Sequence, residues 1–138
     1  MKVEVKQVSG LTMIGKGDSN HWVVIDSVKI YKGQDAASRP MELLLIALGS
    51  CLGMDIISLL GKKRAHLNNL EIKLEGEEAK EHPRVFNKID VNCVFYGKDL
   101  KEEDIKWAVE RSYEKYCPVG AMLAEAVDIN YSWEIVNL

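Results

Sequence analysis

The residues best suited to chemistry in this 138-residue chain are its three cysteines, Cys51, Cys93 and Cys117. A thiolate is a nucleophile and a ligand for soft metals, so each thiol has to be judged by its surroundings. An odd number of widely spaced cysteines is unlike a secreted disulfide framework or a zinc knuckle. We therefore expect reduced or redox-cycling thiols in a cytoplasmic protein.

Cys117 has the stronger local case for reactivity. It precedes Pro118, and proline is favoured at the first position of a helix. Cys117 is then the predicted N-cap, with its sulfur near unpaired backbone N–H groups at the positive helix end. That position predicts a lowered thiol pKa. The alternative is a small buried residue at a helix entry.

Cys51 and Cys93 have weaker local cases. Cys51 lies in the middle of an apolar stretch, where burial raises a thiol pKa and the helix dipole gives no help. Asp55, one helical turn later, would repel a thiolate. On local grounds Cys51 is predicted to be a core cysteine, unless a cation, a donor or another subunit meets it. Cys93 lies on the apolar face of a predicted strand and is interpreted as core filling.

Residues 38–64, SRPMELLLIALGSCLGMDIISLLGKKR, are predicted to form the helix that positions Cys51. No residue from 43 to 54 is charged, so the helix is expected to be buried on every side. The charge-free run is shorter than the roughly 20 residues that span a bilayer, so no membrane partner is expected. Gly49 and Gly53 share one face and would allow another backbone to approach closely.

Both ends of this helix can be predicted from local chemistry. Pro40 suits the first helical position, which makes Arg39 the N-cap. Glu42 then lies where a carboxylate can accept a hydrogen bond from an unpaired backbone N–H group. Gly61, followed by three cations, is the predicted end.

The remaining patterns predict an α+β fold in one domain, residues 1–138. Alternating apolar residues predict an N-terminal antiparallel sheet from segments 2–8, 11–14 and 21–25. After the helix come strands around 70–75 and 89–95, the second with an apolar face of Ile89, Val91, Cys93 and Phe95. An amphipathic helix over 99–116 follows, and its predicted buried face consists of Ile105, Ala108, Val109, Ser112 and Tyr116. A short helix and a last strand over 129–135 complete the chain. We expect an N-terminal lobe of about 1–65 and a C-terminal lobe of about 66–138.

Composition excludes several classes of partner. The net charge is −3 and no Lys/Arg-rich face is present, so a nucleic-acid partner is not expected. None of the three histidines, His21, His66 and His82, pairs with an acid or thiol at metal-ligand spacing, which predicts no metal. No glycine-rich loop precedes a helix in the way a phosphate site requires. We expect no cofactor.

The two cysteine motifs together resemble those of the OsmC/Ohr family, the osmotically inducible and organic-hydroperoxide-resistance proteins. A proline opens an apolar helix with Ser50-Cys51 inside it, and Tyr116-Cys117-Pro118 enters a second helix much later. The order of elements is also similar, and the chain resembles a less characterised OsmC-like branch of the family. The resemblance implies an intertwined homodimer with a site at the subunit interface.

The same resemblance implies thiol-dependent reduction of organic hydroperoxides. Cys51 would be the peroxidatic nucleophile and Cys117 the resolving cysteine, with an external dithiol as reductant. Active members carry an arginine early in the chain, absent here, and a glutamate directly after the helix-opening proline, where this chain has Met41. Glu42 and Arg39 are therefore the candidates for tuning the thiols.

Two alternatives to a peroxidase stay open on the sequence. One is a non-enzymatic dimer that binds a small molecule or senses redox state, with the cysteines lining its pocket. The other is a dimer whose thiols are inert core filling.

Overall fold

Two three-stranded sheets and three helices form the predicted α+β fold in the computed structural model, which describes all residues from Met1 to Leu138. By internal contacts the chain divides into two units, Met1–Leu44 and Leu45–Leu138. The division lies early in the central helix, earlier than the lobe boundary expected near residue 65. The elements are β1 (Glu4–Ser9), β2 (Thr12–Lys16), β3 (Val23–Ile25), α1 (Pro40–Lys62), β4 (His66–Glu78), β5 (Phe86–Lys98), α2 (Glu102–Arg111), α3 (Pro118–Ala124) and β6 (Asp128–Asn137).

The first unit contains an antiparallel sheet in the order β1-β2-β3. The loop that follows is organised by Asp26, a buried carboxylate. It accepts backbone hydrogen bonds from Ser27 (2.7 Å), Gln34 (3.1 Å) and Ala36 (3.1 Å). The Ser27 bond contributes most to lowering the pKa of Asp26. The charged form thus holds the loop that leads into α1.

The second unit contains a sheet in the order β4-β5-β6. β4 and β5 form a long antiparallel hairpin, whereas β5 and β6 run parallel. A parallel pair needs a crossover connection, and α2 and α3 supply it. β5 is the central strand and carries the predicted buried face of Ile89, Val91, Cys93 and Phe95.

The start of α1 agrees with the prediction and its end does not. The helix begins at Pro40, and the backbone N–H of Arg39 donates to Glu42 Oε2 at 2.9 Å. At the other end Gly61 lies inside the helix, which continues to Lys62. The residue in the left-handed conformation is Arg64, with φ +54°, not the glycine. The backbone closes this end through a bond from Ala65 N to the Leu60 carbonyl, 3.1 Å.

The prediction that α1 is buried on every side is wrong for a single chain. One face is buried against its own unit, by Leu48, Leu52, Ile56, Leu59 and Leu60. The opposite face leaves Ile46 55%, Met54 71% and Ile57 53% exposed. By length and composition α1 could cross a membrane, and 39% of its most apolar window is buried. The core helix of a soluble protein meets the same two criteria, and the packed face of α1 fits that case.

The two α1 glycines admit side chains of the sheet, not another backbone as predicted. A Cβ on Gly49 would lie 2.7 Å from Leu74 Cδ1, and one on Gly53 would lie 3.1 Å from Ile72 Cδ1. An apolar groove of about 420 Å³ runs along this contact. We call it the α1–β4 groove; its lining residues are Ile46, Gly49, Ser50, Gly53, Met54, Ile57, Leu70, Ile72 and Leu74.

The amphipathic helix predicted over 99–116 is shorter than expected. α2 ends at Arg111, and residues Ser112–Tyr116 form one π-helical segment. The buried face predicted for this helix continues as far as Ser112, whereas Tyr116 is exposed, since the wider turn rotates it away. The segment closes with Cys117 N donating to the Ser112 carbonyl at 2.8 Å, which fixes where α3 begins.

Candidate thiol site

Three side chains with nucleophilic or metal-binding atoms meet where α1 passes the start of α3. The Sγ atoms of Cys51 and Cys117 and a carboxylate oxygen of Asp55 all lie within 4.8 Å of one another. Cys51 and Asp55 are four residues apart, so they share one face of α1. Cys117 lies within the crossover between β5 and β6, directly before α3. The structure therefore brings together the two cysteines singled out from the sequence, both as free thiols.

Cys117 is the N-cap of α3, as predicted. Pro118 occupies the first helical position, and the backbone N–H of Gly120 donates to Cys117 Sγ at 3.2 Å. Gly120 also keeps the space beside the sulfur open, because a Cβ there would lie 3.4 Å from Sγ. The Cys117 side chain is only 2% exposed.

The predicted lowering of the Cys117 pKa is wrong. Burial of the sulfur raises its pKa from 9.0 to about 11, and a hydrogen bond with the Cys51 side chain adds to the rise. The Gly120 N–H bond acts in the opposite direction, and the Asp55 carboxylate again raises the pKa. The sequence argument weighed only the helix end, whose effect is modest, whereas desolvation of a buried thiolate costs more.

Cys51 differs from the other two cysteines in its exposure. It is half-buried, whereas Cys93 and Cys117 are buried. Cys93 fills the core beneath the sheet, in agreement with its interpretation from the sequence, and burial raises its pKa to about 11. Cys51 is thus the thiol of the cluster that an external reagent meets first.

Sequence reasoning missed two polar residues of the site. Asp55 was considered only as a charge that would repel a thiolate, and Ser112 only as part of a buried face. The Ser112 hydroxyl is fully buried and lies 3.4 Å from both the Leu52 carbonyl oxygen and Asp55 Oδ2. It therefore holds the carboxylate against the start of the π-helical segment that follows α2. A polar residue on an otherwise apolar helix face was the available signal, because a buried hydroxyl needs a partner.

Aromatic rings lie on the α3 side of the cluster. Tyr113 and Tyr131 stack with their ring centroids 4.2 Å apart and their planes 9° from parallel. Burial raises the pKa of Tyr131 to about 12, and the neighbouring Cys117 adds to this rise. The two rings and Gly120 line a second cavity of about 480 Å³. Gly120, whose backbone N–H donates to Cys117 Sγ, therefore also borders this cavity.

The two candidate tuning residues, Arg39 and Glu42, lie in the first unit. The Arg39 guanidinium pairs with Asp35 Oδ1 at 3.2 Å and with Glu42 Oε1 at 3.8 Å. These side chains are exposed, and pairs of this kind contribute little to stability. The pairs orient the guanidinium at the start of α1.

Alkylation rates should separate the three thiols. In reduced protein kept free of metal by a chelator, we expect iodoacetamide to modify Cys51 first, because its sulfur is the accessible one. A thiol with a pKa near 11 is about one part in a thousand thiolate at pH 8, and its reaction accelerates about tenfold per pH unit up to that pKa. Cys117 and Cys93 should follow that dependence, measured by peptide mass spectrometry. Rapid alkylation of Cys117 at neutral pH would contradict its raised pKa.

Comparison with known proteins agrees with this architecture. The family model described as OsmC-like protein matches residues 33–132. Protein YhfA of Escherichia coli strain K12 is 40% identical over 136 residues, covering 99% of this chain and 98% of that protein. A hypothetical protein from Aquifex aeolicus is 31% identical with a TM-score of 0.88, over 99% of this chain and 96% of that one.

A more distant structure shares the fold. It is an organic hydroperoxide resistance protein OsmC from Legionella pneumophila, 16% identical with a TM-score of 0.69 over 97% of both chains. The region that the family model matches, residues 33–132, contains α1, both cysteines of the cluster and the whole second sheet except the end of β6. The chain therefore belongs to the OsmC-like protein family.

Proposed function

We propose that this protein reduces organic hydroperoxides through Cys51 and Cys117, as a homodimer, with an external dithiol as reductant. Membership of the OsmC-like family supports a peroxide-related redox role. One observation carries the specific proposal: two sulfurs from distant parts of the chain lie within 4.8 Å of each other and of a carboxylate. A disulfide between them then needs only small side-chain movement, although its geometry is demanding.

Cys51 is the proposed attacking thiol because it is the accessible one. Its sulfur attacks the outer oxygen of the hydroperoxide ROOH, the O–O bond breaks, and the electron pair leaves with RO⁻. Cys51 becomes a sulfenic acid, and RO⁻ takes up the thiol proton to give the alcohol. Cys117 then attacks the Cys51 sulfur, forming the disulfide and releasing water. A dithiol reduces the disulfide and is itself oxidised.

Asp55 is the proposed proton carrier of this sequence. Its carboxylate lies within 4.8 Å of both sulfurs and is oriented by Ser112. The carboxylate can take the proton as the Cys51 S–H bond breaks and return it to the departing alkoxide. A general base in this position offsets the raised thiol pKa at Cys117 as well, because no free thiolate then has to persist.

The homodimer is proposed from the exposed apolar face of α1. Ile46, Met54 and Ile57 expose more than half of their side chains in one chain, around the α1–β4 groove. Contiguous apolar surface of this kind is typical of subunit interfaces. A second copy that covers the groove would give α1 the all-round burial that its composition predicts.

Arg39 and Glu42 are proposed as tuning residues, with the guanidinium oriented by its two carboxylate partners. Arg39→Met should then lower kcat/KM for a hydroperoxide while leaving the Cys51–Cys117 disulfide able to form. An unchanged kcat/KM would remove Arg39 from the proposed site.

The decisive experiment is mass spectrometry after one equivalent of an organic hydroperoxide. We expect loss of two thiols per chain, one equivalent of the alcohol, and a Cys51–Cys117 crosslink in the digested protein. Cys93→Ala, which removes the thiol outside the cluster, should give the same crosslink. A crosslink that involves Cys93, or no loss of thiols, would overturn the proposal.

A slower redox-sensing role is the second candidate, and the raised pKa of Cys117 favours it. In that case the same disulfide forms stoichiometrically, but added dithiol sustains no multiple turnover. Steady-state consumption of hydroperoxide in the presence of dithiothreitol distinguishes the two roles.

A further inference from the structure

We propose that reduced Cys51, Cys117 and Asp55 form a binding site for one Zn²⁺ ion per chain. The inference does not depend on the proposed peroxide chemistry, because it requires only that both thiols are reduced. The sequence predicted no metal, since no histidine has a ligand partner at suitable spacing. The ligands in the fold are instead two sulfurs and one carboxylate oxygen, gathered from two helices.

The geometry fits a tetrahedral ion after a small contraction. Zinc binds sulfur at about 2.3 Å and carboxylate oxygen at about 2.0–2.2 Å, so ligand atoms around one ion lie roughly 3.5–3.8 Å apart. The three atoms here already lie within 4.8 Å of one another. Cys51 and Asp55 are half-buried and can rotate toward the ion, while Cys117 is fixed by its place at the N-cap of α3.

The ligand types select the metal. Two thiols exclude Mg²⁺ and Ca²⁺, which prefer oxygen ligands, and a carboxylate is a poor ligand for Cu(I). Two sulfurs with one oxygen suit Zn²⁺, which accepts both. Three protein ligands leave the fourth position to water or another small ligand. The accessible Cys51 side of the cluster provides the entry path that a bound ion requires.

The surroundings of the cluster also resemble those of a metal site. Asp55 has no ion pair with any lysine or arginine in the chain, so no cation already occupies its place. The buried Ser112 hydroxyl lies 3.4 Å from Asp55 Oδ2, which is how an outer partner orients a ligating carboxylate. Binding would replace the two S–H protons, which pass to solvent, by the dication.

Zinc and the disulfide would be mutually exclusive states of the same two sulfurs. The ion protects the thiols while bound, and oxidation of either thiol releases it. Zn²⁺ at saturating concentration should therefore block alkylation of Cys51 and Cys117 and leave Cys93 unchanged.

The test is a zinc titration of the reduced, metal-free protein against a chromophoric chelator, repeated with Co²⁺ as a spectroscopic probe. We expect one ion per chain, with a thiolate-to-cobalt charge-transfer band and the visible bands of a tetrahedral ion. Asp55→Asn should weaken binding about tenfold or more, because even outer partners of a ligand cost that much. Cys51→Ser should remove most of the charge-transfer intensity. Cys93→Ala should change neither the zinc affinity nor the charge-transfer band.

Circular dichroism of each variant verifies that it is folded, and Asp55→Asn provides a second variant if Cys51→Ser is not. Zinc binding unchanged in a Cys51→Ser, Cys117→Ser double variant, or no stoichiometric binding to the wild type, would overturn the inference. If hydroperoxide gives the Cys51–Cys117 crosslink but the reduced protein does not bind zinc, only the zinc site is contradicted. Zinc binding without any crosslink contradicts the proposed peroxide chemistry alone.

Discussion

Cys51→Ser is expected to lower the rate of hydroperoxide reduction by about a thousandfold or more. The hydroxyl has nearly the shape of the thiol, but it is a far weaker nucleophile toward the O–O bond, and losses of this size follow removal of a nucleophile. The half-buried Cys51 sulfur is the accessible atom of the cluster, and neither Cys93 nor Cys117 can replace it. Consumption of an organic hydroperoxide with excess dithiothreitol measures the effect.

Cys117→Ser supplies the contrast, because it removes the resolving step and leaves the attack. We expect a single rapid turnover and a sulfenic acid on Cys51, detected with a dimedone-type reagent, that oxidises further with excess hydroperoxide. The matched control is Cys93→Ala. The Cys93 thiol lies in the core, so this variant should turn over at the rate of the wild type. Full activity in Cys51→Ser would make this cysteine a structural residue.

Ile57→Glu is expected to convert the proposed dimer into a monomer at micromolar concentrations. Ile57 is 53% exposed in one chain, so a carboxylate there remains in water when the chain is alone. In a dimer that covers the α1–β4 groove, the same carboxylate would be buried without a partner, at a cost of several kcal/mol. Sedimentation velocity measures the change, and thermal unfolding verifies that the monomer is folded.

Met122→Glu is the matched control for this substitution. Met122 is 69% exposed on α3 and does not line the groove, so a charge there should leave the oligomeric state unchanged. A dimer that persists in Ile57→Glu and dissociates in Met122→Glu would place the interface at α3. A monomeric wild type would contradict the homodimer proposal directly.

The effect of Ile57→Glu on hydroperoxide turnover shows whether the Cys51 cluster depends on the dimer. If a second copy supplies a group to the Cys51 cluster, Ile57→Glu should lower turnover together with dimerisation. If each cluster is complete within one chain, the monomer should keep the Cys51–Cys117 crosslink. The arrangement of both sulfurs and Asp55 within the second unit favours retention of the crosslink.

Local features of this protein were predictable from the sequence because short-range contacts decide them. Pro40 and Glu42 fix the start of α1 through a backbone N–H group three residues away. Cys117 becomes an N-cap because Pro118 follows it. The alternating residues of β5 give its buried face, and the paired cysteine motifs identify the family. The end of α1 was misplaced, since the left-handed position fell on Arg64 and not on the glycine.

Only the tertiary structure decided how the site is assembled. The crossover through α2 and its π-helical end determines that Cys117 meets Cys51, and no local pattern in either segment records that meeting. Tertiary structure also decided the direction in which the Cys117 pKa shifts. Burial by residues distant in sequence raises this pKa, and that effect outweighs the lowering expected from the N-terminus of α3. Desolvation and proximity depend on the whole packed chain, whereas capping and periodicity depend on a few neighbouring residues.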